Sequence, residues 1–176
     1  FVGEDGATHA GIFDLTFLRC VPNLTLMTPS DENELWLMLN TGYDLKTPVA
    51  IRYPRGSGPG SEISHAEEKI EIGKAKVIKE VNSDVVLLSF GSLLPIAKEI
   101  SDELNYSLID MRFVKPIDES LLLKLAQPNK LLVTLEENVI AGGAGSAVNE
   151  VLNQNLISAN VLNIGIPDHF PKVGSP

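Results

Sequence analysis

Short apolar runs recur at regular intervals through the second half of the chain, and this pattern limits the fold more than any other feature. The runs at 85–90, 107–111, 131–135 and 161–164 are rich in Val, Leu and Ile and too short for helices. Segments with helical spacing fill the gaps, at about 94–104, 118–126 and 145–156. A strand that is apolar at successive positions is buried on both faces, and alternation with helices implies a parallel sheet covered on both sides. This half is therefore expected to be an open, mostly parallel α/β sheet. Residues 69–79 alternate weakly and read as an added edge strand.

The first third is less regular. Residues 21–27 read as a short strand, and Thr28-Pro29-Ser30-Asp31 as a helix start. There Thr28 would cap, Pro29 would take the first helical position, and Asp31 would complete a capping box. Leu35, Met38, Leu39 and Gly42 follow helical spacing, with Gly42 as the stop, and 48–53 reads as a buried strand ending at Pro54. The stretch 56–68 holds Gly, Ser, Pro and Glu with almost nothing apolar, which is linker chemistry. The expected organisation is one α/β unit at 1–58, a linker at 59–68 and a second unit at 69–176, with no internal repeat.

The net charge of −9 disfavours nucleic acid as a partner, because an acidic surface repels a phosphate backbone. No apolar run approaches the roughly 20 residues needed to span a bilayer, so no membrane is expected either. A single cysteine, Cys20, cannot form an internal disulfide and suits a reducing, cytoplasmic compartment. Phe1-Val2-Gly3 reads as the tail of a strand entering a loop, without an initiator Met, so the chain is expected to be part of a longer protein.

Four groups of residues could carry chemistry. Ala141-Gly142-Gly143-Ala144-Gly145 precedes a helix and could cradle a phosphate on backbone N–H groups. It fails the dinucleotide fingerprint, lacks the Gly-Lys-Ser/Thr ending of a P-loop, and follows Glu136 and Glu137, so close helix packing is the preferred reading. Ser89-Phe90-Gly91-Ser92 is a similar strand-to-helix turn. The Gly-flanked loop Gly3–Gly11 offers Asp5 and His9. A neutral His can bond a hydroxyl or carbonyl and exchange protons near pH 7, while the alternative is a turn in which both residues are structural. Arg52-Tyr53-Pro54-Arg55-Gly56 ends a strand with a pair of guanidiniums, suited to a phosphate or carboxylate or to surface ion pairs; alternation lets only one reach a ligand. His65 and His169 have no constellation around them and read as ordinary surface or packing residues.

Several blocks together resemble the 1-deoxy-D-xylulose-5-phosphate synthases of the transketolase superfamily. They are Asp5-Gly6-Ala7-Thr8-His9, Phe13-Asp14-Leu15, Leu18-Arg19-Cys20, Met27-Thr28-Pro29-Ser30-Asp31-Glu32-Asn33-Glu34 and Arg52-Tyr53-Pro54-Arg55-Gly56. Arg112-Phe113-Val114-Lys115-Pro116, Glu136-Glu137-Asn138, the stretch 142–148, Val161-Leu162-Asn163-Ile164-Gly165 and Pro167-Asp168 continue the match in order. A transketolase would resemble Asp-Gly-Pro-Thr-His-Gln at the first block, where this chain has Ala7 and Ala10. A 2-oxo-acid dehydrogenase beta subunit would lack that block.

The resemblance implies part of a pyrimidine-binding transketolase-like domain followed by a transketolase C-terminal domain, within a homodimeric enzyme. That enzyme would join pyruvate to D-glyceraldehyde 3-phosphate with loss of CO₂, using thiamine diphosphate as electron sink and Mg²⁺ as its anchor. His9 and Asp5 match the substrate-contacting pair, and Arg55 matches the arginine that grips the acceptor's phosphate. Arg52 matches a position without an assigned role. The parts that anchor thiamine diphosphate and Mg²⁺ are expected to lie outside this chain, which alone would be inactive. Other readings are a transketolase, a dehydrogenase beta subunit or a non-catalytic module.

Overall fold

The computed structural model describes residues 6–64 and 68–171. In chain order the elements are α1 (Asp14–Leu18), β1 (Thr25–Met27), α2 (Glu32–Tyr43), β2 (Val49–Ile51), β3 (Lys76–Lys79), β4 (Val85–Phe90) and α3 (Leu94–Leu104). They continue with β5 (Ser107–Asp110), β6 (Phe113–Lys115), α4 (Glu119–Leu125), β7 (Leu131–Val139), α5 (Ala144–Gln154) and β8 (Asn160–Ile166).

The larger sheet has five strands in the order β3-β5-β4-β7-β8. All its neighbours are parallel except β3, which runs antiparallel to β5 at the edge. Its central strand shows why an unbroken apolar run forms here. Val86, Leu88 and Phe90 join Leu122 of α4 and Val148, Val151 and Leu152 of α5 on one face. Leu87 joins Leu108, Val133 and Ala97 of α3 on the other. Successive side chains point to opposite faces, so both must be apolar when both are covered. Helix α3 occupies the expected span and ends on Asn105 in the left-handed conformation (φ 53°), a common C-terminal cap.

The smaller sheet is ordered β2-β1-β6. Strand β1 pairs parallel with β2 through the α2 crossover and antiparallel with β6, which comes from the second half of the chain. The two halves also share a core, since Leu15 and Leu26 pack in the cluster that holds Val86, Phe90 and Met111.

The structure corrects the expected helix start at residue 28. Asp31, extended at φ −155°, is the N-cap of α2, and its carboxylate accepts a hydrogen bond from the Glu34 N–H at 2.8 Å. Thr28 is buried instead against the second half, its N–H donating to the Arg112 carbonyl at 2.8 Å. Gly42 does not stop the helix, which runs through Tyr43. A Cβ on Gly42 would meet Val49 Cγ1 at 3.1 Å, so the glycine lets β2 approach. Leu39, expected inside, is half exposed. Strand β2 is half-buried rather than buried, because it is the outer strand of its sheet. The stretch after it is pinned along α2: Glu32 accepts from the Gly60 and Ser61 N–H groups at 2.9 and 3.1 Å, and Asn33 Oδ1 from the Ser64 N–H at 3.0 Å.

Candidate functional site

A pocket of about 680 Å³ opens where β2 ends, between the starts of α2 and α3. Ser30, Asp31 and Glu32 form one wall, Tyr53, Pro54 and Arg55 another, and Ser92 and Pro95 a third. Arg55 is the only cationic side chain among the described residues that line it. Asp31 is committed to capping α2 and Glu32 to the Gly60 and Ser61 N–H groups; the Glu32 carboxyl is held below its ordinary range by its own backbone N–H first, and then by the Gly60 N–H. Both acids are thus partly satisfied by backbone donors. The pocket offers one guanidinium, several hydroxyls and two acceptors that a hydroxylated ligand could use.

Asp5 lies outside the described residues. His9 ends a short 3₁₀ turn, Ala7–His9, and is exposed, with its Nδ1 in hydrogen-bond contact with Thr8 Oγ1 at 3.0 Å. The segment after it is firmly docked. Ile12 is buried with Val139 and Ile166, its carbonyl accepts from the Val139 N–H at 2.8 Å, and Asn138 Oδ1 accepts from the Leu15 N–H at 3.2 Å. The segment that begins three residues after His9 therefore packs beside the carboxyl ends of β7 and β8, where open α/β sheets place ligands. His9 is not among the described residues lining the Arg55 pocket. His169 is exposed, and His65 lies outside the described residues.

Arg52 and Arg55 separate as strand alternation implies. Arg52 turns into the junction between the sheets: Nε is 3.3 Å from Asp14 Oδ1, and a terminal nitrogen donates to the Glu137 carbonyl at 2.6 Å. The Glu137 carboxylate also accepts from Ser92 Oγ at 2.6 Å. Charge and strand ends alone do not reveal this centre, because its members are far apart in sequence.

A second buried cluster underlies the pocket. Ser30 Oγ donates to Asp110 Oδ2 at 2.9 Å, and the Arg112 N–H donates to Asp110 Oδ1 at 3.2 Å. Glu34 Oε1 is 2.6 Å from an Arg112 guanidinium nitrogen and 3.2 Å from Lys76 Nζ. Burial, and then repulsion from Glu34, pushes the Asp110 carboxyl up to about 7.

The Gly-rich turn at 141–145 packs rather than binds. Glu136 sits under the N-terminus of α5 and accepts from the Ala144 and Gly145 N–H groups at 2.7 and 2.8 Å, so a side chain already fills the place a phosphate would take. Burial raises the Glu136 carboxyl to about 6, against the pull of those two donors. A Cβ on Gly145 would come within 2.7 Å of Asn163 Oδ1 and Thr134 Oγ1, which is why glycine is needed there.

Among the described residues, no group of three or more His, Cys, Asp or Glu side chains is placed to hold a metal ion. None of the described helices is long and apolar enough to cross a membrane.

Comparison with known proteins places these features in a family. The transketolase C-terminal domain matches residues 73–176, and the transketolase pyrimidine binding domain matches residues 1–60. The chain is 53% identical over 99% of its length to a 1-deoxy-D-xylulose-5-phosphate synthase from Hahella chejuensis, covering 27% of that protein. It is 55% identical over 99% of its length to the synthase of Psychromonas ingrahamii, covering 28% of it. The chain thus spans just over a quarter of the length of these relatives. Among solved structures, a split-gene transketolase described as an inactive beta4 tetramer superposes with a TM-score of 0.82 at 30% identity, over 94% of this chain and 56% of that one. A transketolase from Leishmania mexicana superposes with a TM-score of 0.69 at 19% identity, over 98% of this chain and 25% of that one, and shares the fold. An open, mostly parallel sheet joined to a smaller sheet, matched along both by transketolase domains, makes this chain a member of the transketolase family.

Proposed function

We propose that this chain forms the acceptor-handling part of a thiamine-diphosphate-dependent transferase that condenses pyruvate with D-glyceraldehyde 3-phosphate. The products would be CO₂ and 1-deoxy-D-xylulose 5-phosphate, a precursor for isoprenoids, thiamine and pyridoxal. The cofactor supplies an electron sink for the carbanion left by decarboxylation. It and Mg²⁺ would be held by the remainder of a longer, homodimeric, cytoplasmic protein, as in the family the chain resembles. The 176-residue chain alone would then turn nothing over.

The observation that carries this reading is Arg55 as the only cation among the described residues lining a hydroxyl-rich pocket, in a chain 53% identical to a named synthase. Its guanidinium suits bidentate capture of the acceptor's phosphate. His9, with Asp5, would contact the substrate's hydroxyl and carbonyl oxygens and pass a proton near neutral pH. Both groups act by holding the acceptor in register with the nucleophile, which is an entropic as well as an electrostatic contribution.

Arg55→Ala in the full-length enzyme tests the reading. A charge-assisted bond contributes roughly 1.5–3 kcal/mol, so KM for glyceraldehyde phosphate should rise about ten- to a hundred-fold while KM for pyruvate stays nearly constant. An equal loss against unphosphorylated glyceraldehyde would remove Arg55 from the phosphate site.

A further inference from the structure

We propose that Arg52 and Glu137 form a positioning pair for the acceptor site, setting the place of Arg55 and of the Ser92 wall without touching substrate. This rests on the reading of Arg55 as the phosphate ligand. Arg52 follows the last residue of β2, and its N–H still bonds the Met27 carbonyl at 2.9 Å, so its backbone belongs to the small sheet. Its side chain is only 11% exposed and crosses to the large sheet, where one terminal nitrogen donates to the Glu137 carbonyl at 2.6 Å and another stands at ion-pair distance, 3.8 Å, from the Glu137 carboxylate.

Three consequences follow from that placement. Only Tyr53 and Pro54 separate Arg52 from Arg55, and proline fixes its own φ, so anchoring Arg52 limits where Arg55 can point. Glu137 Oε2 takes the Ser92 hydroxyl at 2.6 Å, and Ser92 is part of the pocket wall, so Glu137 links two sides of the pocket, bonding Ser92 through its carboxylate and Arg52 through its carbonyl and a longer ion pair. The remaining arm, Nε to Asp14 Oδ1 at 3.3 Å, reaches the first residue of α1 in the segment that follows His9.

Local geometry supports the assignment. Glu137 lies where the pairing of β7 with β8 shifts register, between Leu135 and Val139, and such irregularities re-aim side chains. The guanidinium bonds acceptors on two elements with separate nitrogens of its planar fork, which a lysine ammonium cannot reproduce in the same geometry. A pair serving stability alone would have no need to bond a residue of the pocket wall.

The test compares the full-length enzyme with its Arg55→Ala, Glu137→Gln, Arg52→Lys and Glu137→Gln/Arg55→Ala variants, assayed with glyceraldehyde phosphate and with unphosphorylated glyceraldehyde. Glu137→Gln should raise KM for the phosphorylated acceptor roughly tenfold, leave kcat within about twofold, and scarcely change KM for glyceraldehyde. Arg52→Lys, which keeps the charge and loses the fork, should shift the same constant in the same direction. The double variant should cost little beyond Arg55→Ala, because both changes disable one unit. Equal losses with both acceptors, or full additivity in the double variant, would overturn the proposal while leaving Arg55 in its role. If Arg55→Ala itself shows no preference for the phosphorylated acceptor, the phosphate reading fails and this inference falls with it. A purely structural pair would lower the melting temperature and the active fraction without moving KM.

Discussion

Replacing Asp110 with Asn should flatten the pH dependence of this chain's stability. Asp110 is 1% exposed, held between Ser30 Oγ and the Arg112 N–H. The charged groups around it are Glu34 on α2, the Arg112 guanidinium, and Lys76 on β3, which stands opposite Asp110 in the strand register and pairs with Glu34. Burial and Glu34 together place the folded carboxyl at about 7, against about 3.9 when unfolded. The folded state therefore binds the proton more tightly. Its contribution is fully present below about pH 4 and is lost as pH rises through about 7. Three pKa units correspond to a ceiling of about 4 kcal/mol. Asn stays neutral but turns a donor toward Ser30, so a gain of about 1–2 kcal/mol at pH 8 is expected, or roughly 2–8 °C in Tm for a chain of this size. Near pH 5, where the parent has lost only about 1.5 kcal/mol of that ceiling, the variant should melt slightly below the parent. Thermal unfolding followed by circular dichroism at about pH 5 and pH 8 reads both values. A variant that is equally destabilised at both, with the parent's slope intact, would refute the assignment of a buried proton to Asp110.

Other outcomes follow from the same geometry. His9→Ala in the full-length enzyme should lower kcat by about 10²–10⁴ with little change in Tm, since the side chain is exposed. A collapse in Tm with normal specific activity would make it a packing residue. Gly145→Ala should destabilise the chain by about 1–3 kcal/mol, because the new Cβ meets the Thr134–Asn163 hydrogen-bonded pair; a neutral change in a denaturant titration would count against close packing there. The isolated chain should melt cooperatively and yet neither bind thiamine diphosphate with Mg²⁺ in calorimetric titration nor form product. Micromolar binding would show that its residues hold the cofactor after all.

The large sheet was legible because its strands are buried on both faces. Val85–Phe90 is an unbroken apolar run, and Leu94–Leu104 carries its Pro near the start and Asn105 at its end. Strand β6 was not legible. Phe113–Lys115 is too short to show a period, and it forms only because β1 offers an edge from the other half of the chain. Helix α2 began later than expected because Thr28 and Asp31 are both capping residues, and only tertiary packing against Arg112 takes Thr28 out of the competition. The site followed the same division. The Arg55 and His9 motifs stand in contiguous sequence, whereas Arg52, Asp14, Glu137 and Ser92 meet only through the fold. Neither the Arg52 bridge nor the upward shift of the Asp110 carboxyl has a local signature, since each depends on burial by elements distant in sequence.

The most direct test of the proposed activity is to supply the full-length protein with thiamine diphosphate, Mg²⁺, labelled pyruvate and glyceraldehyde 3-phosphate, and to measure CO₂ and sugar phosphate together. Equimolar release of CO₂ and formation of 1-deoxy-D-xylulose 5-phosphate is the expected result. Two-carbon transfer between sugar phosphates without consumption of pyruvate would instead make it a transketolase, and no turnover of either kind would leave the chain's Arg55 pocket without the acceptor chemistry assigned to it.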